Sequence, residues 1–155
     1  MRIYRSEWER RFGKSESPIE AMFLDAFCKL AVDHGYDVAK ASKATAWVIR
    51  IEPQKWFEQY RVDFLISYPF FGKDLLIVVE CDGHQWHEKT KAQAKKDKSR
   101  DRALQSIGAK VFRFTGSEIN GNPGTCAGEV LDVIETFQTD SVLDAFETAE
   151  RTAVA

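Results

Sequence analysis

Five consecutive apolar residues, Leu75-Leu76-Ile77-Val78-Val79, run directly into the acidic residue Glu80. An uninterrupted apolar run of this length, rich in branched side chains, is typical of a strand that is covered on both faces. Such a strand needs helices on both sides of its sheet, so the segment favours an α/β fold with a central sheet. It also places a carboxylate at the end of a buried strand.

Neighbouring segments supply the rest of a mixed sheet. Proline, glycine and aspartate between residues 68 and 74 predict a reversal between two antiparallel strands. Residues 89–107 are good helix formers stopped by Gly108, and the order strand, long helix, strand predicts a crossover to a parallel neighbour. Pro53 is expected to stop the first strand. The predicted strands are Trp47 to Ile51, Arg61 to Ser67, Leu75 to Val79 and Lys110 to Phe114.

The first long helix has a clear start. Ser17-Pro18-Ile19-Glu20 supplies an N-cap, a proline at the first helical position and a capping-box glutamate. Apolar residues then follow at spacings of three and four as far as Leu30, so this helix should pack against the sheet. After a break at Asn122-Pro123-Gly124, apolar spacing predicts helical segments around residues 130–137 and 142–146.

Length and composition predict one domain and exclude several classes of protein. The chain has 155 residues, a usual size for one core, and no apolar stretch approaches the roughly 18 residues of a membrane span. Its three cysteines are odd in number and form no CxxC pair, so we expect a cytoplasmic protein without a membrane partner. The predicted divisions are a polar arm or short helix at 1–16, an α/β domain with a central mixed sheet flanked by helices at 17–138, and an acidic helical tail at 139–155.

Charge is segregated along the chain although the net charge is only -2. Residues 89–113 hold nine Lys or Arg against two Asp, a net of +7, and residues 114–155 hold one Arg against eight acids, a net of -7. The basic segment is a candidate phosphate contact, although a charged run on a helix is more often a solvated face. The acidic helices are a candidate surface for a protein partner. The candidate phosphate-binding residues are Lys95, Lys96, Lys98 and Arg100.

Acidic residues mark the ends of the two strands beside the reversal. Asp63 and Glu80 are nearly equidistant from its centre, so an antiparallel pairing would set them opposite each other. Asp82 returns to the face of Glu80 if the strand continues, and clustered carboxylates repel one another unless a counter-ion joins them. Oxygen ligands favour Mg²⁺, or Mn²⁺ in its place. Glu20 is explained by its capping box, but it could also reach a metal-bound water if its helix start faces the cluster.

Two histidines follow the acidic residues, in the segment 81–87. Gly83 permits a tight turn, so His87 could protonate a leaving oxygen or orient a water, and His84 is more simply a surface residue. A zinc site from Cys81, His84 and His87 with distant Cys126 is formally possible, but its spacing is not that of a common zinc finger.

The order and spacing of these motifs resemble the PD-(D/E)XK nuclease superfamily, and within it the small domains related to the very-short-patch-repair (Vsr) endonucleases. The resemblance covers about residues 17–137. It rests on Tyr60-Arg61-Val62-Asp63-Phe64, Val79-Glu80-Cys81-Asp82-Gly83, Trp86-His87, Asp97, Arg100-Asp101, Leu104, Gly108 and Val111-Phe112-Arg113-Phe114.

This resemblance implies Mg²⁺-dependent hydrolysis of DNA by named residues. Asp63 and Glu80 match the two acidic metal ligands, the peptide carbonyl of Cys81 is a further candidate ligand, and Glu20 matches a first-helix glutamate. His87 falls on the catalytic histidine of the Vsr enzymes. Asp82 stands where the superfamily usually has a lysine, so a second metal, His87 or a cation such as Lys96 would have to substitute. The structural zinc site of the repair enzymes has no counterpart.

Three functions follow from these residues. The first is a metal-dependent DNA endonuclease, with Asp63, Glu80 and Asp82 holding Mg²⁺ and with 5′-phosphate and 3′-hydroxyl products. A non-catalytic nucleic-acid-binding module of the same fold is the alternative, which the missing lysine keeps open. The third is an interaction protein that uses its acidic C-terminal helices.

Overall fold

The structure, a computed structural model, describes residues 6–40, 47–83 and 90–155. Its helices are α1 (Glu7–Phe12), α2 (Pro18–Asp33), α3 (Lys91–Ser106), α4 (Gly116–Gly121) and α5 (Pro123–Val154). Its strands are β1 (Val38–Lys40), β2 (Ile49–Phe57), β3 (Tyr60–Phe70), β4 (Lys73–Asp82) and β5 (Lys110–Thr115).

The strands form one mixed sheet in the order β1-β2-β3-β4-β5. The outer pairs β1–β2 and β4–β5 are parallel, while β3 is antiparallel to both of its neighbours. Helix α3 connects β4 to its parallel neighbour β5, which confirms the predicted crossover. The predicted α/β fold with a central mixed sheet flanked by helices is therefore confirmed.

Strands β3 and β4 form the predicted hairpin. Phe70 pairs with Lys73, so only Phe71 and Gly72 join the two strands. Both joining residues have positive φ, 48° and 74°, which is the backbone that two-residue hairpin turns require to match the twist of the strands. Such a short turn fixes the register and thereby the positions of the residues at the far ends of both strands.

Two hydrophobic clusters cover the two faces of the sheet. The larger one joins buried residues of α2, α4 and α5 to strand residues that include Val79, and the smaller one joins Leu104 of α3 to Val62 and Val78. Val78 and Val79 are adjacent in β4 but belong to different clusters, as expected for a strand covered on both sides. The buried central strand predicted from the apolar run is confirmed.

Helix α2 begins as predicted and packs against the sheet. The Ser17 hydroxyl accepts a hydrogen bond from the Glu20 backbone N–H at 3.3 Å, and Pro18 occupies the first turn. On the buried face, the Phe23 ring lies 5.7 Å from the ring of Phe64 in β3. This packing holds the first turn of α2, which carries Glu20, against the sheet.

The prediction that Pro53 ends the first predicted strand is wrong, because this strand, β2, continues to Phe57. Pro53 pairs with Phe64 of β3, and β1 accompanies β2 only as far as Ile51. Beyond Ile51 the outer side of β2 has no partner strand within the described residues. A proline there deprives no third strand of a hydrogen bond. The longer strand brings Gln54 into the sheet.

Both ends of the described chain are helical. Helix α1 packs on the domain through Phe12, and the Glu9 carboxylate accepts a hydrogen bond from the Ser15 N–H at 2.7 Å. Helix α5 is one continuous element of 32 residues, and its last buried residue is Ser141. Over residues 6–40, 47–83 and 90–155, no helix combines the length and apolar character needed to cross a membrane. The divisions proposed at residues 16 and 138 stay predictions.

Candidate active site

Three polar residues lie side by side across the open end of the sheet. Pro53 pairs with Phe64 and Lys55 with Val62, which places Gln54 of β2 opposite Asp63 of β3. Extending the pairing of Phe64 with Val79 by one residue places Asp63 opposite Glu80 of β4. The structure therefore brings Asp63 and Glu80 together on adjacent strands, as their spacing from the reversal predicts.

Asp63 is the centre of a hydrogen-bond network. Its Oδ2 accepts a hydrogen bond from the backbone N–H of Cys81 at 2.7 Å, and its carboxylate also accepts from the side chains of Glu80 and Gln54. Burial raises the pKa of Asp63, and these hydrogen bonds oppose that rise. An aspartate held by three donors has a fixed orientation, which is what a metal ligand or a proton acceptor requires.

Glu80 is buried, with 4% of its surface exposed. Burial, and then the charge of Asp63, raise the pKa of Glu80 to about 7, while the charges of Arg100 and Arg113 oppose the shift. At neutral pH the Asp63–Glu80 pair is therefore poised to hold one proton, which Glu80 donates to Asp63. A divalent cation is the other way to offset two carboxylates in contact.

Glu20 lies at the start of α2, and its contact with a metal-bound water stays a prediction. It accepts hydrogen bonds at the start of α2, from the Ser17 hydroxyl at 2.9 Å and from the Glu16 N–H at 3.2 Å. It also faces the carboxylates, because Gln54 Nε2 donates to Glu20 Oε2 at 3.0 Å and the charge of Asp63 adds to burial in raising the pKa of Glu20. The capping residue is thus part of the carboxylate cluster, which we define as Glu20, Asp63 and Glu80.

Asp82 lies beside Arg113. Its Oδ2 is 4.0 Å from Nη1 of Arg113, and its charge is the smallest of the causes acting on the pKa of Asp63. Arg113 stands beside Glu80 in the β4–β5 register and also contacts Asp101 of α3. The structure therefore places Asp82 near a cation that also stands next to Glu80.

Two arginines supply the positive charge of the site. Arg100 Nη1 lies 3.3 Å from Glu80 Oε1, at ion-pair distance, and the Arg100 side chain is 19% exposed. Arg100 therefore pairs with Glu80 in the structure, and its phosphate contact stays a prediction. Arg113 belongs to a motif of the resemblance, but motif spacing does not reveal its contacts, which come from the packing of α3 against β5.

A family model, REase_MTES_1575, matches residues 29–134 of the chain, well over half of its length. The chain belongs to the REase_MTES_1575 family. This is a restriction endonuclease-like family, so the predicted membership of a nuclease superfamily is confirmed. The family implies a DNA substrate. No curated protein and no solved structure matches the chain.

The part of the chain matched to REase_MTES_1575 contains most of the site. Gln54, Asp63 and Glu80 all lie within residues 29–134, as do α3 and β5, whereas Glu20 precedes the match. His84 and His87 also fall within the match but lie outside the described residues, so the histidine roles and the zinc alternative stay predictions.

Oxygen atoms at this end of the REase_MTES_1575 domain fit a hard divalent cation. Glu80 Oε1 is buried and has only the ion-pair contact with Arg100, without a hydrogen bond, among the described residues, Asp63 lies beside the Cys81 N–H, and the Cys81 carbonyl stays a predicted ligand. In the described part of the chain, no three His, Cys, Asp or Glu side chains form a group that could hold a metal ion. An ion here would therefore need two carboxylates, a carbonyl and water, the kind of shell that Mg²⁺ adopts.

The predicted phosphate-binding lysines lie on the solvent side of α3. Lys95, Lys96 and Lys98 are exposed, and the first two line a cleft of about 560 Å³. Across the cleft, the Tyr60 hydroxyl lies 3.3 Å from Ser99 Oγ, and hydrogen bonding lowers the pKa of Tyr60. Two cations beside an aromatic ring form a surface that suits a nucleic-acid strand.

Proposed function

We propose that this chain is a Mg²⁺-dependent endodeoxyribonuclease that leaves 5′-phosphate and 3′-hydroxyl ends. The observation that carries the proposal is the contact between Asp63 and Glu80 on adjacent strands of a restriction endonuclease-like domain. Two buried carboxylates in contact need a proton or a cation between them. Mg²⁺ is the cation we propose, with Mn²⁺ as a substitute.

Asp63, Glu80 and the Cys81 carbonyl would hold this ion. When bound, the ion supplies Lewis acidity toward the phosphate and lowers the pKa of an attacking water. Glu20, held by Gln54 at the edge of the cluster, is suited to orient that water through its carboxylate. Asp82 would join the shell of the ion through a water, because its own carboxylate is directed toward Arg113.

Arg100 is our candidate for the positive charge that the superfamily usually supplies with a lysine. Its guanidinium already lies beside Glu80, and a phosphate oxygen could take up the same N–H donors in a bidentate contact. We further propose a relationship to the Vsr enzymes, in which His87 protonates the leaving oxygen. Lys95, Lys96 and Lys98 would contact flanking phosphates along α3.

The location and further partners are also proposals. Cys28, Cys81 and Cys126 are buried and unpaired, which suits the reducing cytoplasm. A protein partner for the acidic end of α5 is supported by the exposure of Leu143 and Phe146 on that segment.

The decisive experiment compares Asp63→Ala with Asp74→Ala, a matched change at an exposed aspartate of β4. Each protein is incubated with supercoiled, linear and single-stranded DNA in Mg²⁺, Mn²⁺ or EDTA. We expect cleavage by wild type and by Asp74→Ala with either ion, none in EDTA, and a loss on the order of a thousandfold for Asp63→Ala, because several kcal/mol of transition-state stabilisation is removed. Full cleavage by purified, folded Asp63→Ala would refute the proposed mechanism.

A non-catalytic DNA-binding module is the second candidate, and the aspartate at position 82 in place of the usual lysine is what favours it. Such a module would bind DNA equally well in Mg²⁺ and in EDTA, with an affinity that falls steeply with salt. Asp63→Asn would leave that affinity unchanged. Cleavage that depends on both the ion and Asp63 would exclude this candidate.

A further inference from the structure

Gln54 lies between two members of the carboxylate cluster. Its Nε2 is 3.0 Å from Oε2 of Glu20, and its side chain also donates a hydrogen bond to Asp63. The two carboxylates belong to elements that are distant in sequence, α2 and β3, and β2 brings Gln54 between them. One amide group therefore connects the helix to the sheet at the site.

The orientation of this amide is set by its partners. Carboxylates only accept hydrogen bonds when ionised, so the NH₂ group must face Glu20 and Asp63, and the carbonyl must point away. The Oε1 atom is consequently buried without a hydrogen-bond partner among the described residues. Gln54 also has a φ of 54°, a left-handed backbone that a glutamine rarely adopts. Strain and an unpaired oxygen at one residue are typical of a functional position.

We propose that Gln54 is a positioning residue, whose amide holds the carboxylates of Glu20 and Asp63 in the orientation that receives the metal ion. This inference rests on the proposed metal-dependent function. The carboxylates of Glu20 and Asp63 repel each other, and two N–H donors from one rigid amide fix the direction of both. Hydrogen-bond partners of metal ligands act in this way, and their removal typically weakens metal binding 10- to 100-fold.

Two substitutions separate this role from a contribution to folding. Gln54→Met keeps the length of the side chain but removes both donors. Gln54→Asn keeps an amide and suits a left-handed backbone better, yet it is one carbon too short to reach both carboxylates. Gln105→Met is the matched control, because Gln105 is exposed on α3 away from the cluster.

The measurement is calorimetric titration of each protein with Mn²⁺ alone, without DNA, alongside circular dichroism and thermal unfolding. We expect the Kd for Mn²⁺ to rise at least tenfold in Gln54→Met and Gln54→Asn, and to stay within twofold in Gln105→Met. Gln54→Asn should unfold at a temperature no lower than wild type, which a purely structural glutamine would not allow. A wild-type Kd in the folded Gln54 variants overturns the inference, as does wild type that binds no Mn²⁺.

Cleavage assays on the same proteins distinguish this inference from the proposed function. Wild type that binds Mn²⁺ through Gln54 but cuts no DNA would refute the nuclease and leave the positioning role intact. Wild type that cuts DNA, with Gln54 variants that bind Mn²⁺ normally, would refute the positioning role alone.

Discussion

The carboxylates at the end of the sheet and those at the end of helix α5 have the same chemistry in opposite surroundings. Glu20 and Glu80 are 6% and 4% exposed, whereas the side chains of Asp144 and Glu147 are 61% and 67% exposed. Burial raises the pKa of both buried glutamates. The number of acidic residues in a segment is therefore a weak indication of a functional site. The burial of their carboxylates is a stronger indication.

The difference follows from how each segment meets the rest of the chain. At the sheet end, α2, β2, β3 and β4 converge, so each carboxylate is surrounded by other elements. After Ser141 the α5 helix has no buried residues, and its turns satisfy their own backbone hydrogen bonds. On the surface, Asp144 of this helix forms an ion pair with Lys73 at the start of β4, at 2.6 Å.

The largest expected difference between the two regions is in cleavage. Glu80→Gln retains the size of the side chain and a donor for Asp63, so the fold should persist, but it removes a proposed metal ligand. We expect its cleavage rate to fall on the order of a thousandfold in Mg²⁺, since several kcal/mol of charge stabilisation is lost. The matched variant Asp144→Asn should cleave DNA at a rate within twofold of that of wild type. Equal rates in these two variants would remove the functional distinction between the regions.

The pH dependence of the free energy of unfolding should give the second-largest difference between the two regions. Because the pKa of Glu80 rises from 4.5 to about 7 on folding, the folded protein holds a proton that the unfolded chain releases between these values. The free energy of unfolding should therefore fall as pH rises from about 4.5 through about 7, by up to about 3 kcal/mol, since one pKa unit corresponds to about 1.4 kcal/mol.

Urea unfolding in EDTA at several pH values between 5 and 8 measures this slope. Glu80→Gln should flatten it, although the raised pKa values of Asp63 and Glu20 leave a residual slope of the same sign. Asp144→Asn should keep the wild-type slope, because its carboxylate stays in water. A wild-type slope in Glu80→Gln would show that Glu80 is not the group that titrates.

Sequence spacing was sufficient to predict the β3–β4 hairpin and the pairing of Asp63 with Glu80. The apolar run identified β4, the reversal fixed its partner, and the period of two then set Asp63 opposite Glu80. The N-cap Ser17 and the proline after it similarly identified the start of α2. These features depend on local patterns and short connections, which a sequence carries directly.

Contacts between distant elements could not be predicted in the same way. The sequence does not predict Gln54 as a site residue, because Pro53 predicts the end of a strand, and only the short length of β1 shows why that proline is tolerated. The apolar Trp56-Phe57 beyond it was the available sign that the strand continues. Arg100 and Arg113 reach the site from α3 and β5. Motif spacing alone does not show which way a side chain points across such a packing interface.

The smallest effect is expected from removal of the exposed end of α5. Truncation after Val142 keeps Ser141 and the partly buried Val142 but deletes Leu143, Phe146 and the acids that follow. The lost Lys73–Asp144 pair is on the surface, where ion pairs contribute at most about 1 kcal/mol, so the unfolding temperature should change by only a few degrees. Cleavage and Mn²⁺ binding should match wild type. A truncated protein that stays folded but no longer cuts DNA would mean that the acidic segment, through a partner or a second copy, completes the site.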